Sequence, residues 1–117
     1  MRAIGLMVAV LATGAAAGDV EVVDAEASSS GSGWRFNVTV RHADTGWDHY
    51  ADAWRVVGAD GEVYGTRILA HPHVDEQPFT RSLGGVAIPD SVDTVWIEAR
   101  DSVHGWAETT FELTLPQ

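Results

Sequence analysis

From residue 34 the chain alternates strictly: "WRFNVTVR" sets Trp34, Phe36, Val38 and Val40 on one side and Arg35, Asn37, Thr39 and Arg41 on the other. A period of two is that of a strand with one face in a core and one in water. Comparable runs occupy 19–27, 50–57, 62–69, 79–88, 94–100 and 109–115. "YADAWRVV" turns Trp54 and Val56 inward, "TVWIEAR" turns Val95, Ile97 and Ala99 inward, and "TTFELTL" does the same with Phe111, Leu113 and Leu115. Turn chemistry separates the runs: "SSSGSG" at 28–33, Asp60-Gly61, and Pro89-Asp90. Asp-Gly is a strong hairpin signal because glycine accepts positive φ without Cβ strain. Gly84-Gly85 predicts a bulge inside its run. Beyond the first residues no run has a helical period. Strands recurring about every ten residues between turns predict an all-β, seven-stranded antiparallel sandwich.

The N-terminus follows a different pattern. Arg2 precedes an apolar stretch from Ile4 to Leu11, and Ala15 and Ala17 supply the small residues of an A-x-A cleavage site. That is the form of a secretory signal peptide. The apolar stretch is far shorter than the roughly 20 residues that span a bilayer. The reading is therefore a signal peptide over 1–17 and a single β-sandwich domain over 18–117, soluble and periplasmic or secreted, with no membrane insertion after cleavage. Cysteine is absent, so these residues offer no disulfide and no thiol for lipid attachment.

The run lengths and turns resemble those of immunoglobulin-like and fibronectin-type-III-like sandwiches. The resemblance covers the mature chain, and without the cysteine pair of true immunoglobulin domains only the sandwich carries over. The phrases "AHPHVDEQPFTRSL" and "ARDSVHGW" are similar to those of small exported bacterial proteins of unassigned activity. That likeness implies a compartment and a fold, and no mechanism.

Charge narrows the partners. Seventeen Asp and Glu residues face seven basic ones, every one of them arginine, for a net charge of −10. A field of that sign repels nucleic acid and anionic lipid and draws in cations. Nucleic-acid binding is excluded.

Topology then concentrates the chemistry. If strands alternate up and down, loops 42–49, 70–78 and 101–108 share one end of the sandwich. His42, His49, His71, His73 and His104, all the histidines of the chain, fall in them. Loops 28–33, 58–61 and 89–93 at the other end hold none. Imidazole from several loops is a common zinc or copper ligand set. The expected ligands are His49, His71, His73 and His104, with Glu76 or Asp75 able to replace one. His42, directly at a strand end, is set aside as a bystander. Trp47, Tyr50 and Trp106 lie in or beside the same loops and suit an extracytoplasmic protein or glycan partner, or a lid over the core. Asp44, Asp48 and Asp52 are close in sequence but lack the order of a calcium loop. Asp101, Ser102 and His104 are too near one another for a hydrolytic triad, and no G-x-S-x-G elbow occurs. The reading is an exported binding module that is not an enzyme, with zinc or copper at the histidine-bearing end and oligomeric state open.

Overall fold

The computed structural model describes residues 19–117. The expected signal peptide over 1–17 lies outside the described residues, among which there is no helix. The alternating runs form β1 (Glu21–Ser30), β2 (Gly33–Arg41), β3 (Ala51–Val57), β4 (Val63–Ile68), β5 (Phe79–Val86), β6 (Thr94–Asp101), β7 (Gly105–Trp106) and β8 (Phe111–Thr114). All seven expected runs are strands. The eighth, β7, is a two-residue piece ahead of the last run, and it pairs with β6 as β8 does. Since β3 holds the other edge of β6, β7 and β8 lie along the same side as one interrupted strand.

Pairing is antiparallel throughout. One sheet runs β1-β2-β5 and the other β4-β3-β6, with β7 and β8 beyond β6. The apolar positions of the two sheets meet between them: Phe36, Val38 and Val40 from β2, Phe79 and Val86 from β5, Trp54 and Val56 from β3, and Val95, Ile97 and Ala99 from β6. Full burial of such a side chain stabilises the fold by about 1.5–3 kcal/mol. The predicted bulge is present: Trp34 faces Val86 while Phe36 faces Leu83, so Gly84-Gly85 carries an extra residue, with Gly85 at φ +68°. The predicted hairpin turn is present too. Gly61 sits at φ +88°, and the Glu62 N–H donates to Asp60 Oδ1 at 3.1 Å.

Two strands extend their inward phase past their apolar residues, and this positions the site. Past the end of β2 the buried series 36, 38, 40 continues to His42 and Asp44; in β6 the series 95, 97, 99 continues to Asp101. The core is therefore closed at one end by polar side chains. Another bulge lies at the same level, where β3 holds Ala51 opposite Asp101 but Ala53 opposite Arg100, leaving Asp52 as the additional residue. Bulges re-aim neighbouring side chains, and here one sits where the apolar core gives way to the polar cluster.

Candidate metal centre

The three histidine-bearing loops meet at this end, each held by named bonds. Ser102 N–H donates to Tyr50 O at 2.9 Å and Tyr50 N–H to Ser102 Oγ at 3.1 Å, which joins the β2–β3 loop to the end of β6. His73 N–H donates to Asp44 Oδ2 at 2.8 Å, and His42 N–H to Gln77 Oε1 at 3.0 Å, which joins the β4–β5 loop to the β2–β3 loop. Ala51 N–H donates to Asp44 Oδ1 at 3.0 Å, so the buried Asp44 carboxylate serves three segments at once.

Asp101 is the centre of the cluster. It is 1% exposed. Its Oδ1 accepts the backbone N–H groups of Val103 at 2.9 Å and His104 at 2.7 Å, and lies 3.1 Å from both His49 Nε2 and His104 Nδ1. Its Oδ2 lies 3.1 Å from His104 Nδ1 and 3.8 Å from His42 Nε2. Burial alone pushes an Asp pKa up. Here the His104 and Val103 amides and the His104 ring outweigh that, and the Asp101 carboxyl titrates below its ordinary range. The carboxylate is ionised, and three imidazoles surround it.

His42 links the two carboxylates. Its Nδ1 is 2.6 Å from Asp44 Oδ1, and its side chain, like those of Asp44 and Asp101, is almost wholly buried. At that distance Nδ1–H donates to Asp44, because an ionised carboxylate can only accept. Nε2, at the far side of the ring, faces Asp101 and lies 3.8 Å from its Oδ2. A carboxylate that fixes the far nitrogen of an imidazole is the usual outer support of a metal-ligating histidine. One donor atom each from His42, His49 and Asp101 lie within 4.8 Å of one another, and so do one each from Asp19, Asp101 and His104. His49 is half-buried and His104 exposed, so the cluster opens to solvent on their side.

The sequence-predicted ligands divide into two groups. His49 and His104 stand at Asp101, with their ring centroids 5.0 Å apart. His71 and His73 pair with each other at 4.9 Å, and there an arginine intervenes. Arg81 donates through Nη2 to His73 Nε2 at 2.8 Å and to Glu76 Oε1 at 3.4 Å. The guanidinium takes the position between His73 and Glu76 that an ion would need. It cannot release a proton, so His73 Nε2 must be the acceptor. Burial foremost, then the Arg81 charge, lowers the His73 pKa. The ring stacks on Phe79 at 4.0 Å, and its Nδ1 is buried without a hydrogen-bond partner. His73 is thus built as a packed, neutral imidazole, and His71 beside it is exposed. Asp75 and Glu76 are exposed.

His42, which the sequence reading set aside, instead belongs to the cluster, and Asp101 was weighed there only as a triad member. The signal for both was available in the alternation: each occupies the next inward position of an apolar strand. Among the aromatic residues, Trp47 is 68% exposed and sits edge-on to Tyr50 at 5.5 Å. It stands off the surface and does not close the core. Trp106 lies half-buried under the Arg55 guanidinium, 3.8 Å from its ring centroid. Asp44 and Asp52 are committed elsewhere, Asp44 to His42 and Asp52 to Arg100 at 3.2 Å.

Fold and site together define an all-β module with a buried His–Asp cluster at one end. No family model matches the chain, and no solved structure is found to match it. A protein of Halomicrobium mukohataei described as "Putative lipoprotein" is 37% identical to it over 89 residues, 75% of this chain and 43% of the relative. The chain thus spans less than half the length of that relative. No helix of the described residues is long and apolar enough to cross a membrane.

Proposed function

We propose that the protein is an exported binding module that holds a transition-metal ion, zinc or copper, between His42, His49 and Asp101. The observation that carries this reading is the orientation of His42. Asp44 takes its Nδ1–H at 2.6 Å, Nε2 lies 3.8 Å from Asp101 Oδ2, and one ring nitrogen of His42 lies within 4.8 Å of donor atoms on both His49 and Asp101. The spacings of 3.1 Å for His49 Nε2 to Asp101 Oδ1 and 3.8 Å for His42 Nε2 to Asp101 Oδ2 suit ligands about 2.0–2.1 Å from one zinc. Without an ion the 3.1 Å contact is a hydrogen bond. Metal binding replaces its proton, so affinity falls on acidification. Titration calorimetry with zinc tests this. The expected result is a binding heat at pH 7.5, abolished by chelator and weakened at pH 5, with a rise in melting temperature. No heat and no change in melting would reject it.

The role is binding and not catalysis. The strand order, three strands against β4-β3-β6-β8, supports the fibronectin-type-III-like form, since a constant-type immunoglobulin domain places its fourth strand in the other sheet. The signal-peptide pattern and the description of the relative support an extracytoplasmic location, periplasmic or secreted. A second reading is favoured by the exposed Trp47 against Tyr50: a protein or glycan partner that stacks on this pair beside the metal, with Trp106 as its inner flank. Partner-induced change in indole fluorescence that persists in chelator would support it.

A further inference from the structure

Asp101 belongs to two donor groups, and its carboxylate is the member they share. One is His42, His49 and Asp101; the other is Asp19, Asp101 and His104, again with donor atoms within 4.8 Å of one another. His104 Nδ1 stands 3.1 Å from both Asp101 oxygens, whereas His49 approaches Oδ1 and His42 approaches Oδ2. Building on the single-ion reading above, we propose that the centre takes two divalent cations, with Asp101 as the shared carboxylate and Asp19 and His104 completing the second position.

The chemistry of the two positions differs. The inner one offers two imidazoles and one carboxylate, closed except on the His49 side, with Asp44 fixing His42 from outside. The outer one offers one imidazole and two carboxylates, on residues that are half-buried or exposed except for Asp101. Imidazole-rich sites favour zinc and copper, and carboxylate-rich sites hold the same ions less selectively. Charge permits both. A first dication compensates Asp101 and Asp44, Asp19 adds a further negative charge at the outer position, and the chain as a whole carries −10, a field that raises local cation concentration. Because Asp19 precedes β1 while His104 follows β6, a second ion ties the start of the described chain to the rim. A ligand on the first residues then also becomes a clasp on the N-terminal strand.

Zinc titration calorimetry with the wild type, D19N, H104A and the control D90N tests the proposal. Asp90 is exposed in the β5–β6 loop, remote from the cluster. The wild type and D90N take two equivalents, the second at least tenfold weaker than the first. D19N and H104A, each on accessible side chains whose loss leaves the core intact, take one equivalent at the affinity of the first. A single equivalent in the wild type, two equivalents retained in both D19N and H104A, or loss of the second equivalent in D90N as well, overturns the second position and leaves the single-ion reading standing. No bound zinc at all overturns both.

Discussion

Replacing Asp101 with asparagine removes one charge from the centre of the cluster and almost no volume. The amide oxygen can still accept the Val103 and His104 backbone N–H groups, at 2.9 and 2.7 Å in the parent. Those bonds pass from charge-assisted, about 1.5–3 kcal/mol each, to neutral, about 1 kcal/mol. The amide nitrogen takes the place of Oδ2, where it meets His104 Nδ1 at 3.1 Å and His42 Nε2 at 3.8 Å. Relief of a buried charge offsets part of the loss. The surroundings nevertheless favour the ionised form, since Asp101 titrates below its ordinary range, so the balance is destabilising. The expected loss is about 2 kcal/mol, or roughly 8–16 °C in melting temperature for a domain of about 100 residues. Aspartate to alanine strands both amides as well and costs about 1–3 kcal/mol more. Urea unfolding followed by tryptophan fluorescence at pH 7.5 in chelator, at unchanged m-value, reads this directly. The sign in acid follows from the same shift. A folded pKa below the unfolded value gives stability that is present above about pH 4 and lost as pH falls through the folded value. D101N should lack that part of the slope. A D101N protein as stable as its parent, or more stable, would refute the reasoning.

Other outcomes are equally specific. Asp44→Asn removes the anion that fixes His42 Nδ1 and should weaken zinc binding about 10–100-fold, read by competition with a metallochromic indicator. The His73 ring, with its pKa lowered by burial and Arg81, should titrate in proton NMR below the ordinary value of about 6.5. Since the unfolded ring takes up its proton first as pH falls, His73 costs stability progressively below about pH 6.5, and Arg81→Met should move its titration upward. Trp54 is fully buried, and its Nε1 has no hydrogen-bond partner. Trp54→Ala should cost about 3–5 kcal/mol by denaturant unfolding, and Trp54→Phe much less, because it keeps most of the volume and removes the stranded N–H. Trp47→Ala should change stability by less than about 0.5 kcal/mol while quenching any partner-induced fluorescence response.

Most strands were legible because a half-buried strand writes its period into the chain: Phe36, Val38 and Val40 needed only alternation to be placed. The Gly84-Gly85 bulge and the Asp60-Gly61 turn were readable for the same local reason. β7 was not, since two residues carry no period. Its pairing depends on Arg55 and Arg100 lying over Trp106 and on Ala107 N–H donating to Ala99 O. The gathering of the three loops followed from up-and-down connectivity, and the bonds of Asp44, Gln77 and Ser102 bear it out. Which rings face one another did not follow. Arg81 reaches His73 only because the β4–β5 loop folds back on its own following strand, and no spacing in "HPHVDEQPFTR" announces it. His42 and Asp101 were visible as polar residues in an inward phase, a pattern that reads as a strand ending unless the end of the core is itself the site.

X-ray absorption at the zinc edge, on protein loaded with one equivalent at pH 7.5 and desalted, tests the metal centre most directly. The account predicts nitrogen and oxygen neighbours at about 2.0–2.1 Å with the outer-shell scattering of two imidazoles, reduced to one in His49→Ala. Retained zinc that shows only oxygen neighbours, or an unchanged imidazole signal in His49→Ala, would contradict it.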